Sequence, residues 1–353
     1  MGFASFPRSF LKRLLLIVLL VALVVMVLRF ALGALTSPPT VQADAFRPLS
    51  QPTPGAEVVE TGVYVNNLYD LNVSSNTYYL DTYIWFKWNG KINPLENLEL
   101  TNAVEEWGLT QTVLQEESGQ LPDGRQYQIM HVEGRFVHPF QLSRFPLDRQ
   151  RLAITIENSL YPADKLVYVP DQQQSGYSET LAVPGWQLRG FNLQSLVHDY
   201  KTNFGEPLPA NGKATYSALR YELATERPVS YFTWKLLLPL VIVLISGWGA
   251  FLLSPRYTDS RIALPVTALL TTVFLQQSYG DSIPDVGYLV LLDKIYALAY
   301  VLIILSILEA IITADWARED MENAFNRIIR LDRQSLVVQS LALIGGVALL
   351  IWL

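Results

Sequence analysis

Three groups of side chains in this sequence could do chemistry, and two of them are quickly set aside. Cysteine is absent from all 353 residues, which excludes a disulfide framework and a thiolate metal site. The three histidines, His131, His138 and His198, lack metal-ligand spacing and read as structural or surface residues. No nucleophile elbow, phosphate-cradling glycine loop or metal cluster accompanies the scattered Asp and Glu, so the expectation is no enzyme, no cofactor and no metal site. The third group is polar residues in an apolar setting. Thr267, Thr271 and Thr272 lie among Leu and Val and lead into Gln276-Gln277-Ser278. Such residues are costly against lipid, so this segment faces water or protein. Spacing of i, i+4, i+7, i+11 and i+14 places Ala263, Thr267, Leu270, Phe274 and Gln277 on one helical face. A helix packed inside a bundle could carry the same stripe.

The elements around that segment are those of a membrane protein with one soluble domain. The chain is 50% hydrophobic, and the excess collects in one N-terminal run and four C-terminal ones. The C-terminal runs are Trp234 to Leu253, Ile262 to Leu275, Val286 to Ile312 and Leu336 to Leu353; all but the second are long enough to cross a bilayer alone. They predict helices at about 231–253, 260–279, 286–313 and 335–353, within a transmembrane domain over 229–353. Between the last two lies an amphipathic, charged stretch, Asp315 to Gln334. Its arginines, with Arg256 and Arg261, place these connections in the cytoplasm. At the N-terminus Arg8, Lys12 and Arg13 precede the apolar stretch Leu14 to Leu28 and a small-residue region ending at Ala45. Residues 1–35 therefore read as a signal peptide or an N-terminal membrane anchor, and 36–56 as a flexible leader. Either way the next domain is exported. The net charge of −6, with no clustered Lys and Arg in the loops, excludes nucleic acid as a partner and favours cations.

Residues 57–228 alternate with period 2. Val58 to Val65 and Tyr78 to Trp88 are the clearest strands, and Asn89-Gly90 is a tight-turn signal. Further strands fit Tyr127 to Phe136, Leu152 to Asn158, Lys165 to Val169, Trp186 to His198 and Ala214 to Leu223. No comparable helical period interrupts them, which argues for an antiparallel sandwich.

A sandwich followed by four spanning helices, the second of them polar, resembles the pentameric ligand-gated (Cys-loop-like) ion channel family in a bacterial member. The resemblance runs from about Glu57 to Leu353. Phe136 to Gln150, F-V-H-P-F-Q-L-S-R-F-P-L-D-R-Q, resembles the loop over the pore domain, without its bracketing cysteines. An aromatic and a fixed turn, Phe145-Pro146, can wedge into helix ends, and Asp148 can pair across the interface. Tyr221 to Pro239 looks like the last sandwich strand entering the first pore-domain helix. There Arg227 stands where the family keeps a basic residue that meets the Asp of that loop; the other reading is an Arg anchoring a helix end at the headgroups. Asp259 to Pro284 is similar to the pore-lining helix and its outer loop. Gly185 to Phe191 and the helix from Tyr288 to Trp316 are weaker likenesses.

The resemblance implies a β + α membrane protein: an extracellular antiparallel β-sandwich followed by a four-helix transmembrane domain, assembled as a pentamer with four further copies of itself. It implies a bacterial inner membrane, with the sandwich facing the periplasm or exterior. Ring by ring, the pore would run from Asp259 through Ala263, Thr267, Leu270 and Phe274 to Gln277 and Asp281, with Leu270 and Phe274 able to hold a closed pore dry. Phe145, Pro146, Asp148, Arg227 and Pro284 would couple gating. Tyr161, Tyr200, Phe204 and Tyr216, with Trp85 and Trp88 on the strand facing a neighbour, are the candidate ligand box, the tryptophans being equally fit for sandwich core. The hairpin Tyr200 to Tyr216, with Pro207, Pro209 and Gly212, resembles the capping loop. Anion-selective members carry Pro-Ala before the inner-mouth basic residue, whereas Arg261 follows Asp259-Ser260; with Arg261 turned from the lumen, monovalent cations are expected to permeate. The agonist would be an unknown small ligand or protons, and membrane lipid a surrounding partner. The competing reading is a membrane-anchored sandwich sensor that conducts nothing.

Overall fold

The computed structural model describes residues 46–105, 107–205, 214–280 and 283–352. The expected signal or anchor, the leader up to residue 45, Asp281, and Pro207, Pro209 and Gly212 lie outside the described residues.

Among the described residues twelve strands form two facing sheets. They are β1 (Phe46–Pro48), β2 (Glu57–Asn72), β3 (Thr77–Trp88), β4 (Leu98–Leu100), β5 (Thr110–Val113), β6 (Gly119–Gln120), β7 (Gln126–Val137), β8 (Arg149–Asn158), β9 (Leu166–Pro170), β10 (Gly176–Tyr177), β11 (Gln187–Asp199) and β12 (Thr215–Glu226). One sheet runs β1-β11-β12-β8-β4, the other β10-β2-β3-β7-β5, with β6 on β7 and β9 on β2. Pairing is antiparallel except that β9 and β10 lie parallel to β2. Strict alternation builds the core: along β7 every second residue from Gln128 to Phe136 is buried. Val63, Ile84, Phe86 and Phe136 of one sheet meet Ile154, Leu219 and Tyr221 of the other. Tyr78 hydroxyl donates to the Ala153 carbonyl at 2.6 Å, tying the sheets across that apolar layer.

Two local expectations change. Asn89-Gly90 ends β3 but does not form a two-residue hairpin, because the Glu57 carboxylate accepts from the Lys91 and Ile92 amides and draws the chain aside. The flexible leader gives way at Phe46–Pro48, which pairs with the edge strand β11. There the Phe46 ring stacks on His198 at 4.1 Å, under the Arg220 guanidinium at 4.2 Å.

Four helices follow among the described residues: α1 (Tyr231–Phe251), α2 (Thr258–Gly280), α3 (Leu291–Glu319) and α4 (Met321–Trp352). At 21, 23, 29 and 32 residues each is long enough to span a bilayer. The first turns of α1 are π-helical over Tyr231–Leu237, leading into the α-helical Leu238–Trp248. The fourth helix starts at Met321, well before residue 335, since the charged stretch ahead of it is itself helical and keeps Ile328 and Asp332 buried. Buried polar contacts hold α4: Gln339 Oε1 accepts from Trp248 Nε1 of α1 at 2.8 Å and from the Ser306 hydroxyl of α3 at 3.0 Å. Between α1 and α2 the backbones come close at Gly247, where an added Cβ would stand 3.0 Å from the Ala268 Cβ.

Candidate functional site

The junction of the two domains is built from the loop after β7. Phe145 is buried at the base of the sandwich, and its peptide bond to Pro146 is cis. Asp148, only 2% exposed, accepts from Arg227 Nε at 2.9 Å through one oxygen and from Gln150 Nε2 at 2.7 Å through the other. Arg227 is fixed from both faces, its guanidinium 4.2 Å from the Trp186 ring and 5.0 Å from Phe145. A buried carboxylate with both oxygens bonded and a stacked guanidinium is a rigid joint at the point where β12 becomes α1.

That loop also caps a helix of the other domain. The first amides of α3 have no acceptor within their own helix. Leu291 and Leu292 donate to the Ser143 and Phe145 carbonyls at 3.0 and 3.2 Å. Tyr288 hydroxyl accepts from the Leu142 amide at 3.2 Å, and Arg144 reaches the Ile351 carbonyl at the end of α4 at 2.7 Å. Pro284 stands nearby, lining a cavity of about 390 Å³ with Gln277, Tyr279, Tyr288 and Asp293. Asp293 accepts from the Tyr279 hydroxyl and from the Val290 amide, joining α2 to the start of α3.

On α2 the two faces differ sharply. Arg261, Pro265, Ala268, Thr272 and Tyr279 are buried against the other helices. Asp259, Ala263, Thr267, Leu270, Phe274 and Gln277 are exposed, Leu270 by 57% and Phe274 by 65%. Thr267 and Thr271 hydroxyls donate to the carbonyls four residues back, at 2.9 Å each, so their lone pairs remain for water.

At the far end of the sandwich a cleft of about 960 Å³ is lined by Arg47, Glu157, Tyr200, Phe204, Thr215 and Tyr216 among others. Tyr200 stands edge-on to Phe204 and Tyr216, at 5.0 and 5.8 Å between centroids. Its floor is the buried Glu157, which His198 Nδ1 contacts at 2.7 Å and Tyr200 hydroxyl at 3.0 Å. Burial pushes the Glu157 carboxyl above its ordinary range, against the pull of those two partners. Tyr161 is half-buried and packs against the sandwich core. The tryptophans stand apart from the cleft. Trp88 is core, at 3% exposure, and Trp85 is covered by the segment after β9, its Nε1 donating to Asp171 at 3.0 Å. Neither is open to a ligand or to a neighbour.

Sequence reasoning missed Trp186, Tyr288, Glu157, Asp332 and Gln339. The one signal for Gln339 was an amide inside an apolar run, which membrane burial makes costly without partners.

No family model matches the chain. It is 24% identical over 200 residues to a gamma-aminobutyric acid receptor subunit beta of Caenorhabditis elegans, covering 56% of this chain and 34% of that one. A glutamate-gated chloride channel of Drosophila melanogaster is 26% identical over 176 residues, 49% of this chain and 36% of the relative. A glutamate-gated chloride channel subunit beta of Haemonchus contortus is 24% identical over 250 residues, 65% and 55%. The chain thus spans from a third to about half the length of these relatives. An integral membrane protein with a β-sandwich outside the bilayer and four helices long and apolar enough to span it, this chain is similar in sequence to subunits of gamma-aminobutyric acid receptors and glutamate-gated chloride channels.

Proposed function

We propose that the chain is one subunit of a homopentameric ligand-gated ion channel, with α2 lining the pore. The observation that carries this is the exposed face of α2. It bears hydroxyl and amide groups at its ends and large apolar rings at Leu270 and Phe274, none covered by α1, α3 or α4. A single chain cannot enclose a lumen with one such face, whereas rotational symmetry can. Leu270 and Phe274 form the dry constriction of the closed state, and Phe145, Pro146, Asp148, Arg227 and Pro284 pass the sandwich's movement to the helices.

The ligand, a small molecule or protons, acts at the cleft of Tyr200, Phe204 and Tyr216. The pore prefers monovalent cations. Asp259 is exposed at the inner end of the pore face and Arg261 is buried away from it, which supports that preference although relatives are named chloride channels. Purified protein in a planar bilayer, screened over pH and small metabolites, tests the reading. Native mass should give a pentamer, and Asp259→Ala should lower cation over anion permeability. A stable monomer, or the absence of current under every condition, would leave a non-conducting sandwich sensor.

A further inference from the structure

Arg261 raises a problem for any channel that admits cations. Five guanidinium groups at the inner mouth would oppose the carboxylates of Asp259, two residues earlier on the same helix. Two residues correspond to roughly 200° of rotation, so the two side chains leave α2 on nearly opposite sides. Orientation alone does not remove the charge, because a field crosses a helix and weakens only with distance and dielectric.

The structure places acids against it. Arg261 and Asp332 of α4 form an ion pair in which the side chains are 3% and 1% exposed. Glu309 of α3 is a further carboxylate beside this pair. The arrangement makes a poor hydrogen-bond set: Arg261 Nε, Asp332 Oδ2 and Glu309 Oε1 have no partner among the described residues. It is therefore not the bidentate fork that would lock helices together by geometry. Its clear effect is on charge. A buried guanidinium is matched by a carboxylate contributed by α4, the helix that carries the exposed apolar stripe Val337, Val338, Leu341 and Ile344.

We propose that Asp332 is a specificity-determining positioning residue: it holds and neutralises Arg261 behind α2, leaving Asp259 as the governing charge at the inner mouth. This rests on the reading of α2 as the pore helix. It means that a side chain on α4, on the far side of α2 from the pore face, sets which ions pass.

The experiment compares reversal potentials in a KCl gradient across planar bilayers, at low and at high salt, for wild type, Asp332→Asn and the double variant Arg261→Met/Asp332→Leu. Wild type should favour K⁺. Asp332→Asn should lower the K⁺-to-Cl⁻ permeability ratio severalfold, more at low salt, where screening is weaker. The double variant, which removes both charges and fills the space with apolar groups, should keep the wild-type ratio.

A conducting Asp332→Asn channel with an unchanged ratio overturns the proposal. A double variant more cation-selective than wild type also overturns it, since Arg261 would then have been opposing Asp259 all along. If Asp332→Asn does not assemble, the double variant decides alone. Its own failure to assemble would show that the pair builds the bundle and does not tune selectivity. A wild type that passes no current defeats the channel reading and this proposal together. One that conducts but prefers chloride overturns this proposal, since Asp259 would not then govern the inner mouth, while leaving the channel reading standing.

Discussion

Arg227 and Asp148 meet at 2.9 Å where the last strand of the sandwich turns into the first membrane helix, and the carboxylate is almost wholly enclosed. Removing one partner of such a pair costs about 3–5 kcal/mol, because the other charge stays buried and unmatched. Asp148→Arg should therefore separate ligand response from opening, and Arg227→Asp in the same chain should restore part of it. The check is a concentration–response series on all four channels. Effects that simply add would show that the contact carries no coupling.

Replacing Leu270 by Ser puts a hydroxyl on the exposed face of α2 at the middle of the apolar segment. Water would then wet the closed pore, and a shift of about 1.4 kcal/mol moves the open-to-closed ratio tenfold. Higher agonist sensitivity or constitutive leak is expected, with the pentamer intact. Ala268→Ser, on the face 3% exposed, should leave gating unchanged. If Ala268→Ser leaks and Leu270→Ser does not, the pore face has been assigned to the wrong side.

Gln339→Leu deletes the acceptor shared by Trp248 and Ser306. Hydrogen bonds between membrane helices average about 0.6 kcal/mol and reach about 1.7, so two together are worth about 1–2 kcal/mol. Thermal unfolding in detergent should show a lower midpoint. An unchanged midpoint would mean that α4 is held by apolar packing alone.

Asp171 gives a pH dependence. Burial by itself would raise its pKa, but hydrogen bonds from Lys87 Nζ at 2.6 Å and Trp85 Nε1 at 3.0 Å outweigh it and hold the group below its ordinary 3.8. A lowered carboxylate stabilises the fold above the unfolded value and loses that contribution as pH falls through the folded one. Asp171→Asn should cost about 2 kcal/mol at neutral pH and make the acid unfolding limb below about pH 4 shallower. Tryptophan emission during acid titration reads it out; an acid limb as steep as that of wild type would exclude Asp171 as its source.

The long strands were legible because alternation over ten or more residues has one physical explanation, a sheet with one face buried, as in β3, β7 and β12. Short edge strands such as β1, β6 and β10 were not, since two or three residues carry no period and pair only because a neighbouring edge is open. The exposed stripe on α2 could be written down from spacing alone, though spacing could not say which of its faces the other helices would cover. Trp85 and Trp88 show the limit from the other side. Alternation gives their faces, but the segment that closes over Trp85 comes from Asp171, 86 residues away. Asp332 was hidden for a similar reason: beside Arg330 and Arg333 it looks like one more solvated charge.

The caps on α3 carry a consequence for how such a protein would respond to mutation. Where Leu291 and Leu292 donate to Ser143 and Phe145, both ends of each bond are main chain. Alanine scanning across this junction would change none of those four groups and would report a joint weaker than it is. Proline is the substitution that can see it, because position 291 is the first of the helix, where proline is tolerated; set against Leu291→Ala, which shares the loss of the buried side chain, it isolates the outgoing N–H. Leu291→Pro would thus cut a strand of the linkage between sensor and membrane domain while sparing the helix that receives it.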